Sequence, residues 1–283
     1  MSKSFPFIFI LLWSSAFITT KPIVDFSDPF TALAFRFLFV AFGFYAFAIY
    51  TRQKIIVSKK NTIQAILSGI LFHGIYLGGV FFSISKGMPT GITALIVTLQ
   101  PILTNILAVP YLNEKISFRQ WIGALLGFSG ATLILGFNIG SSLPILGIVS
   151  SFIALFAITI STLWQKKLSN NLPLSVNNMY QAIGGCLFHG IIILFFTEPY
   201  INFSQTFLIA ISHQIFLVSF GAFSILMYLI KHNSASKTVS IFFLIPPVSV
   251  VMAYLFLGEN LTKIDLIGLM IATSGVYLAT RKR

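Results

Sequence analysis

Ten apolar segments of about 20 residues follow one another along this chain, the length at which an α-helix crosses the hydrocarbon core of a bilayer. Apolar residues make up 57% of the 283 residues and Asp, Glu, Lys and Arg only 8%, too few charges for the surface of a soluble protein. The sequence therefore predicts an all-α integral membrane protein. Its ten transmembrane helices are predicted near residues 4–23, 30–50, 62–86, 90–111, 118–137, 144–166, 175–197, 207–230, 236–257 and 263–280.

The basic residues fall mostly on one side of this predicted arrangement. If the N-terminus is cytoplasmic, the outer segments carry only Lys21, Lys86 and Lys263, Arg36 lies within the second helix, and the remaining 14 of 18 Lys and Arg residues are cytoplasmic. Cytoplasmic loops of membrane proteins carry an excess of Lys and Arg, so both termini are predicted to be cytoplasmic. Membrane orientation thereby explains the net charge of +12, and no nucleic-acid partner is expected.

Part of the sequence repeats at an offset of 145 residues. Residues 93–133 match residues 238–278 at 12 of 41 positions. Apolar composition alone does not explain matches between prolines, glutamates and glycines, so an internal repeat is predicted. These matches pair Pro101 with Pro246, Glu114 with Glu259, Gly123 with Gly268 and Gly130 with Gly275.

Each half of the chain contains five predicted helices, the first half covering residues 1–140 and the second residues 141–283. Because five is an odd number of crossings, the second half is predicted to lie in the membrane in the opposite orientation. Inverted-topology repeats of this kind are typical of secondary transporters, in which a central site opens alternately to either side of the membrane.

Three sets of residues are similar to the motifs of one family of membrane proteins. They are the run WSSAF at residues 13–17, Pro29 followed by Arg36, and two segments that run from proline through Leu-x-Glu to glycine. These residues resemble the EamA-type transporters of the drug/metabolite transporter superfamily, although Asn113 stands where that family usually has glycine. The resemblance implies a ten-helix bundle that moves amino acids or other small metabolites, often outward, through a cavity between its halves.

Polar and aromatic side chains inside the predicted helices are the candidates for substrate contact. His73 and Tyr76 lie about one helical turn apart and share a face, although an interhelical hydrogen bond explains His73 equally well. No Asp or Glu lies in the middle of a predicted helix, which favours facilitated diffusion or exchange over coupling to protons or sodium. The predicted substrate-binding residues are Trp13, Ser15, His73, Tyr76, Gln100, Asn105 and Tyr228.

Arg36 is the only formal charge within a predicted helix. We expect it to act in structure or gating, and binding of a substrate carboxylate is the alternative. Proline frees a backbone carbonyl group and kinks a helix, and freed backbone groups in a bilayer must face protein or water. Pro101, Pro246 and Pro247 are therefore predicted to form gating kinks beside a cavity.

Glu114 and Glu259 each precede the next helix by a few residues and are predicted to be structural helix caps, because a carboxylate is stabilised at a helix N-terminus. The single cysteine, Cys186, excludes an intrachain disulfide and a metal site built from cysteines. No catalytic residue, metal or cofactor is predicted.

The sequence as a whole predicts a secondary transporter of small metabolites in a bacterial inner membrane, either an exporter or an uncoupled exchanger, rather than an enzyme. Small residues at helical spacing in the fifth and tenth helices permit close contact, either within one lipid-embedded monomer or in a homodimer. One alternative is an importer of a host or environmental metabolite such as a nucleotide-like cofactor. Another, from a different class, is a membrane-embedded lipid enzyme that uses His73 and His189.

Overall fold

A computed structural model of the chain describes residues 4–135, 143–168, 172–257 and 262–281. The described residues are almost entirely helical, and their helices begin and end within three residues of the predicted boundaries. They form α1 (Phe5–Asp25), α2 (Pro29–Tyr50), α3 (Lys59–Ser85), α4 (Thr90–Leu112), α5 (Phe118–Leu135), α6 (Ile145–Leu168), α7 (Leu174–Phe196), α8 (Gln205–His232), α9 (235–257) and α10 (Lys263–Thr280).

Within the described residues, eight helices are long and apolar enough to cross a membrane, namely all except α5 and α9. The outward faces of the bundle carry large apolar side chains, such as Phe42, Leu194 and Phe195, which are 69%, 77% and 74% exposed. Such a surface is stable against lipid rather than water, so the chain is an integral membrane protein. The count of ten crossing helices, the inverted orientation of the two halves and the cytoplasmic termini stay predictions.

Two of the long helices contain π-helical segments. α3 changes to π-helical geometry at Ile70–Tyr76, and α8 does so at Gln214–Ala222. In a π-helix the backbone bonds from residue i to residue i+5, and such segments are frequent at functional sites because they change which side chains share a face. The two segments therefore mark the part of the bundle in which a functional site is expected.

The predicted prolines lie next to the irregular parts of α4 and α9. α4 is interrupted between Thr90–Val97 and Gln100–Leu112, and α9 contains a 3₁₀ segment at Ser240–Leu244. Pro101 follows the first irregularity, and the pair Pro246-Pro247 follows the second. Regular α-helix resumes at Gln100 and at Ile245, so each proline lies in the first turn of a helix, where the N–H group that proline lacks would have no partner within the helix.

α5 and α10 pack backbone to backbone through small residues. A Cβ atom added at Gly275 would lie 2.4 Å from the amide nitrogen of Gly127 and 2.6 Å from the carbonyl oxygen of Gly123. A Cβ atom added at Gly130 would lie 2.6 Å from the carbonyl oxygen of Gly268. The small faces of these two helices are therefore occupied by each other within one chain, and the oligomeric state stays a prediction.

Glu114 caps a helix, but that helix is α9 rather than α5, which follows Glu114 in the sequence. Its carboxylate oxygens accept hydrogen bonds from the backbone N–H groups of Ala235 (2.8 Å) and Ser236 (3.3 Å). At the start of α5, the Ser117 hydroxyl accepts from the backbone N–H of Gln120 (3.3 Å) instead. Through these two hydrogen bonds, Glu114 links the loop between α4 and α5 to the first turn of α9. Its predicted repeat mate, Glu259, lies outside the described residues.

Removing the Glu114 carboxylate is expected to loosen this contact. Glu114→Ala leaves the first N–H groups of α9 without their acceptor and should lower the free energy of unfolding by about 1–2 kcal/mol. Thermal unfolding of the purified protein in detergent measures the effect. Glu198→Ala is the matched control because Glu198 is exposed in the connection between α7 and α8. Equal melting temperatures for the two variants would show that the cap contributes no stability.

Candidate functional site

A narrow cavity lies between α1, α2, α3 and α8, about midway along these helices. Its volume is about 30 Å³, enough for one or two water molecules, so the cavity is nearly closed in this conformation. A pocket with mainly apolar walls and a few polar groups is typical of small-molecule sites. The aromatic part of the wall consists of Trp13, Phe17, Phe72, Tyr76, Phe81 and Phe223.

Arg36 supplies the positive charge of the cavity wall. The side chain is only 3% exposed, its Nε donates to the Ser219 hydroxyl (2.9 Å), and its Nη1 donates to Gln214 Oε1 (2.6 Å). Both acceptors lie in the π-helical segment of α8, which holds them on the side facing α2. Arg36 thus links α2, from the first half of the chain, to α8, from the second half.

Gln214 extends this network from α8 to α1. Its Nε2 donates to the backbone carbonyl of Ala16 (2.9 Å) and to the Thr19 hydroxyl (2.9 Å). The neighbouring His213 has its Nε2 3.0 Å from the Ser15 hydroxyl. Ser15, a predicted substrate contact, therefore faces His213 and does not line the cavity, whereas Gln214, which the sequence analysis missed, does.

His73 and Tyr76 both line the cavity from the π-helical segment of α3, as their shared helix face led us to expect. The His73 ring is 3% exposed, and its centroid lies 4.4 Å from that of Phe37 and 4.5 Å from that of Phe223. The backbone carbonyl of His73 accepts a hydrogen bond from His189 Nε2 (3.0 Å). The side-chain Nδ1 of His73 is buried and has no hydrogen-bond partner among the described residues.

The comparisons with known proteins agree with this architecture. The family model described as the EamA-like transporter family matches residues 4–136 and, a second time, residues 145–281. The chain belongs to the EamA-like transporter family. The resemblance drawn from the motifs in the sequence is confirmed by these two matches.

Several relatives of this EamA-like transporter align over nearly its whole length. The uncharacterized transporter YvbV of Bacillus subtilis is 24% identical, over 96% of this chain and 89% of that protein. A Salmonella typhimurium protein named as a probable amino-acid metabolite efflux pump is 21% identical, over 95% of this chain and 91% of its own. One crystal structure shares the fold with a TM-score of 0.83 and 17% sequence identity, over 98% of this chain and 95% of that one.

Not all of the predicted site residues of this EamA-like transporter lie at the cavity. Trp13 does, with its ring centroid 5.6 Å from that of Phe242. Gln100 instead donates from Nε2 to the Thr162 hydroxyl (3.0 Å), and Asn105 Oδ1 accepts from the Ser236 hydroxyl (2.5 Å). The remaining residues that lie away from the cavity wall are Tyr228, which packs against Phe5 and His232, and the prolines Pro101, Pro246 and Pro247.

The lipid-enzyme alternative needs an acid or a metal next to His73 and His189. Within the part of the chain that the structure describes, no three His, Cys, Asp or Glu side chains come together as a metal site requires. The carboxylates described there lie at helix ends or in connections, away from the cavity wall. The family and the names of its members instead indicate a transporter.

Proposed function

We propose that this chain is a secondary transporter that moves amino acids or related small amphipathic metabolites by alternating access through the central cavity. The observation that carries the proposal is the cavity itself, which is small, mostly aromatic and provided with Arg36, His73 and Gln214 as polar groups. Such walls bind a compact molecule with one polar end and one apolar body. The wall includes helices from both proposed halves of the chain, α1 to α3 from residues 1–140 and α8 from residues 141–283.

Two further observations support alternating access. The family model matches the chain twice, over ranges that correspond closely to the two proposed inverted repeats. The helices with irregular segments are α3, α4, α8 and α9, which lie at corresponding positions in the two halves. We propose that these four helices rock between an inward-open and an outward-open arrangement, because irregular segments bend at lower cost than regular α-helix.

We propose that transport is outward or by exchange, across the inner membrane of a bacterium, and that no ion gradient is coupled to it. Outward movement is supported by the relative named as a probable efflux pump. Uncoupled movement is supported by the position of the described carboxylates, which lie outside the cavity wall, because coupling to protons or sodium commonly uses buried Asp or Glu.

Counterflow in proteoliposomes tests the proposal. Vesicles loaded with unlabelled L-phenylalanine should take up the labelled compound faster than protein-free vesicles, with saturation and without any pH gradient. His73→Ala should lower the rate about tenfold, because a lost hydrogen bond to a bound ligand costs roughly 1–1.5 kcal/mol. His232→Ala is the control, since His232 is exposed and its described contacts are with Tyr228 of its own helix.

Two results would contradict this proposal. One is an absence of counterflow for a panel of amino acids when the protein is folded and correctly inserted. The other is accumulation driven by a pH gradient alone, which would reject uncoupled transport while leaving the carrier function in place.

A further inference from the structure

Arg36 is a buried cation for which the described residues provide no counter-ion. The ion pair that they contain joins Lys21 to Asp25, near the end of α1. The carboxylates of Asp28, Glu114 and Asp265 bind backbone N–H groups at helix starts, and Glu198 is exposed. The sixth acidic residue, Glu259, lies outside the described residues.

An unpaired charge in this position needs an explanation. A cation taken out of water loses its hydration, and neutral hydrogen-bond partners replace only part of it. Charged side chains inside a bilayer are therefore rare, and they commonly mark the path of a substrate or an ion. The two described acceptors of Arg36, the Ser219 hydroxyl and the Gln214 amide oxygen, are both neutral.

The end of the guanidinium group retains unused hydrogen-bonding capacity. Nε and Nη1 have the acceptors named above, but Nη2 has no hydrogen-bond acceptor among the described residues. Arg36 belongs to the cavity wall, and we infer that this end meets a molecule that enters when the cavity opens. Two parallel N–H donors at the end of a guanidinium group match the two oxygens of a carboxylate.

We propose that Arg36 binds the carboxylate group of the transported substrate and that the bound substrate is the missing counter-ion. This inference rests on the proposed transport function and names the substrate class, a small carboxylate with an apolar or aromatic body. The body packs against the aromatic wall formed by Trp13, Phe72 and Phe223.

The charge of the cavity distinguishes a carboxylate from a phosphate. The described wall provides one cationic side chain, which one carboxylate neutralises. A phosphate monoester carries between about 1.5 and 2 negative charges at neutral pH and would leave excess negative charge in an apolar site. A neutral amide would leave Arg36 uncompensated, and an amine that lacks a carboxylate would add a second positive charge with no anion to compensate either. The substrate class is therefore selected by charge as well as by shape.

Four compounds with the same phenyl body and different polar ends test this inference. They are 3-phenylpropionate, 3-phenylpropionamide, 3-phenylpropylamine and 2-phenylethyl phosphate. Binding of each to the purified wild-type protein is measured by the shift in melting temperature across a concentration series. We expect the carboxylate to bind at least about tenfold more tightly than the other three, the usual effect of a charge-assisted bidentate contact. No preference for the carboxylate, or no binding of any of the four at millimolar concentration, would overturn the inference.

Variants of Arg36 separate anion binding from a structural role. Arg36→Gln should bind 3-phenylpropionate and 3-phenylpropionamide with affinities within about twofold of each other, whereas Arg36→Lys should keep a reduced preference for the carboxylate because it keeps the charge. A tenfold carboxylate preference that persists in Arg36→Gln would overturn the inference. The wild-type measurements decide the question by themselves if either variant fails to fold.

Glu259→Gln is the control for an internal counter-ion. It should leave the carboxylate preference unchanged, and a tenfold gain in carboxylate affinity would instead identify Glu259 as the partner of Arg36 and overturn the inference. Because the assay measures binding without flux, its outcome is independent of the counterflow experiment. A carboxylate preference without counterflow would reject transport and keep the anion site.

Discussion

Gly275→Leu is expected to prevent the chain from forming a stable bundle. The added Cβ atom alone would approach the amide nitrogen of Gly127 to 2.4 Å and the carbonyl oxygen of Gly123 to 2.6 Å. Both obstacles are backbone atoms of α5, which cannot rotate away as a side chain does, so α5 and α10 must separate. Overpacking typically costs about 1–3 kcal/mol when side chains can adjust, and a backbone obstacle raises the cost further. That loss is comparable to a large part of the total stability of a typical domain, about 5–15 kcal/mol.

Gly190→Leu is the matched control for this prediction. Gly190 also lies within a long helix, α7, but a Cβ atom added there meets nothing within 4 Å. The yield of monodisperse protein after size-exclusion chromatography in detergent, together with the melting temperature, measures both variants. We expect the Gly275 variant to be lost and the Gly190 variant to resemble the wild type. Similar yields would mean that α5 and α10 do not touch as the structure describes.

The contact between α5 and α10 shows what sequence patterns can and cannot provide. Glycines at helical spacing are visible in the sequence and predict that α5 and α10 can each approach another helix closely. The same pattern is compatible with a contact inside one chain or between two chains, because the chemistry of the two interfaces is identical in a membrane. Only the arrangement of the remaining helices decides between them, and that arrangement places Gly123 against Gly275 of the same chain.

The cavity residues show a second limit of prediction from sequence, which arises from local backbone geometry. A regular α-helix has 3.6 residues per turn, so Gln214 and Ser219, five residues apart, are expected on different faces of α8. The π-helical segment brings residues i and i+5 together, and both side chains thereby reach Arg36. By contrast, His73 and Tyr76 are three residues apart and share a face in a regular α-helix, which is the pattern that the sequence analysis used, and both lie in the cavity wall.

The contact between His73 and His189 shows a third limit of prediction from sequence, which concerns packing between helices. The identical pentapeptides around these residues are visible in the sequence, but their offset of 116 differs from that of the repeat and gave no reason to pair them. Their contact depends on how closely α3 and α7 cross. A Cβ atom added at Gly69 would lie 2.1 Å from the carbonyl oxygen of Gln181, and one added at Gly184 would lie 2.2 Å from that of Ile66.

Gln214→Glu is expected to abolish carboxylate binding and transport while the protein stays folded. The new carboxylate occupies nearly the same volume as the amide, whose Oε1 lies 2.6 Å from Arg36 Nη1, so it provides a permanent internal counter-ion. The Thr19 and Thr20 hydroxyls lie 2.9 and 3.4 Å from Gln214 Nε2 and can turn to donate to the new oxygen, which offsets the loss of the hydrogen bond from Nε2 to the Ala16 carbonyl (2.9 Å). Close charge pairs couple by about 1.5–7 kcal/mol, which a substrate carboxylate would have to overcome.

A coupling of about 3 kcal/mol corresponds to a loss of more than about 100-fold in affinity for 3-phenylpropionate, measured by thermal shift and by counterflow. The melting temperature of the ligand-free Gln214→Glu protein should rise at the same time, because the buried charge is now paired. The double variant with Arg36→Gln and Gln214→Glu is the control, since a double-mutant cycle isolates the interaction between the two positions. Wild-type affinity for the carboxylate in Gln214→Glu would mean that the substrate anion does not bind at Arg36. A loss of binding combined with a gain in stability would instead show that the wild-type transporter is less stable because Arg36 has no internal counter-ion, and that Arg36 is thereby free to bind the substrate.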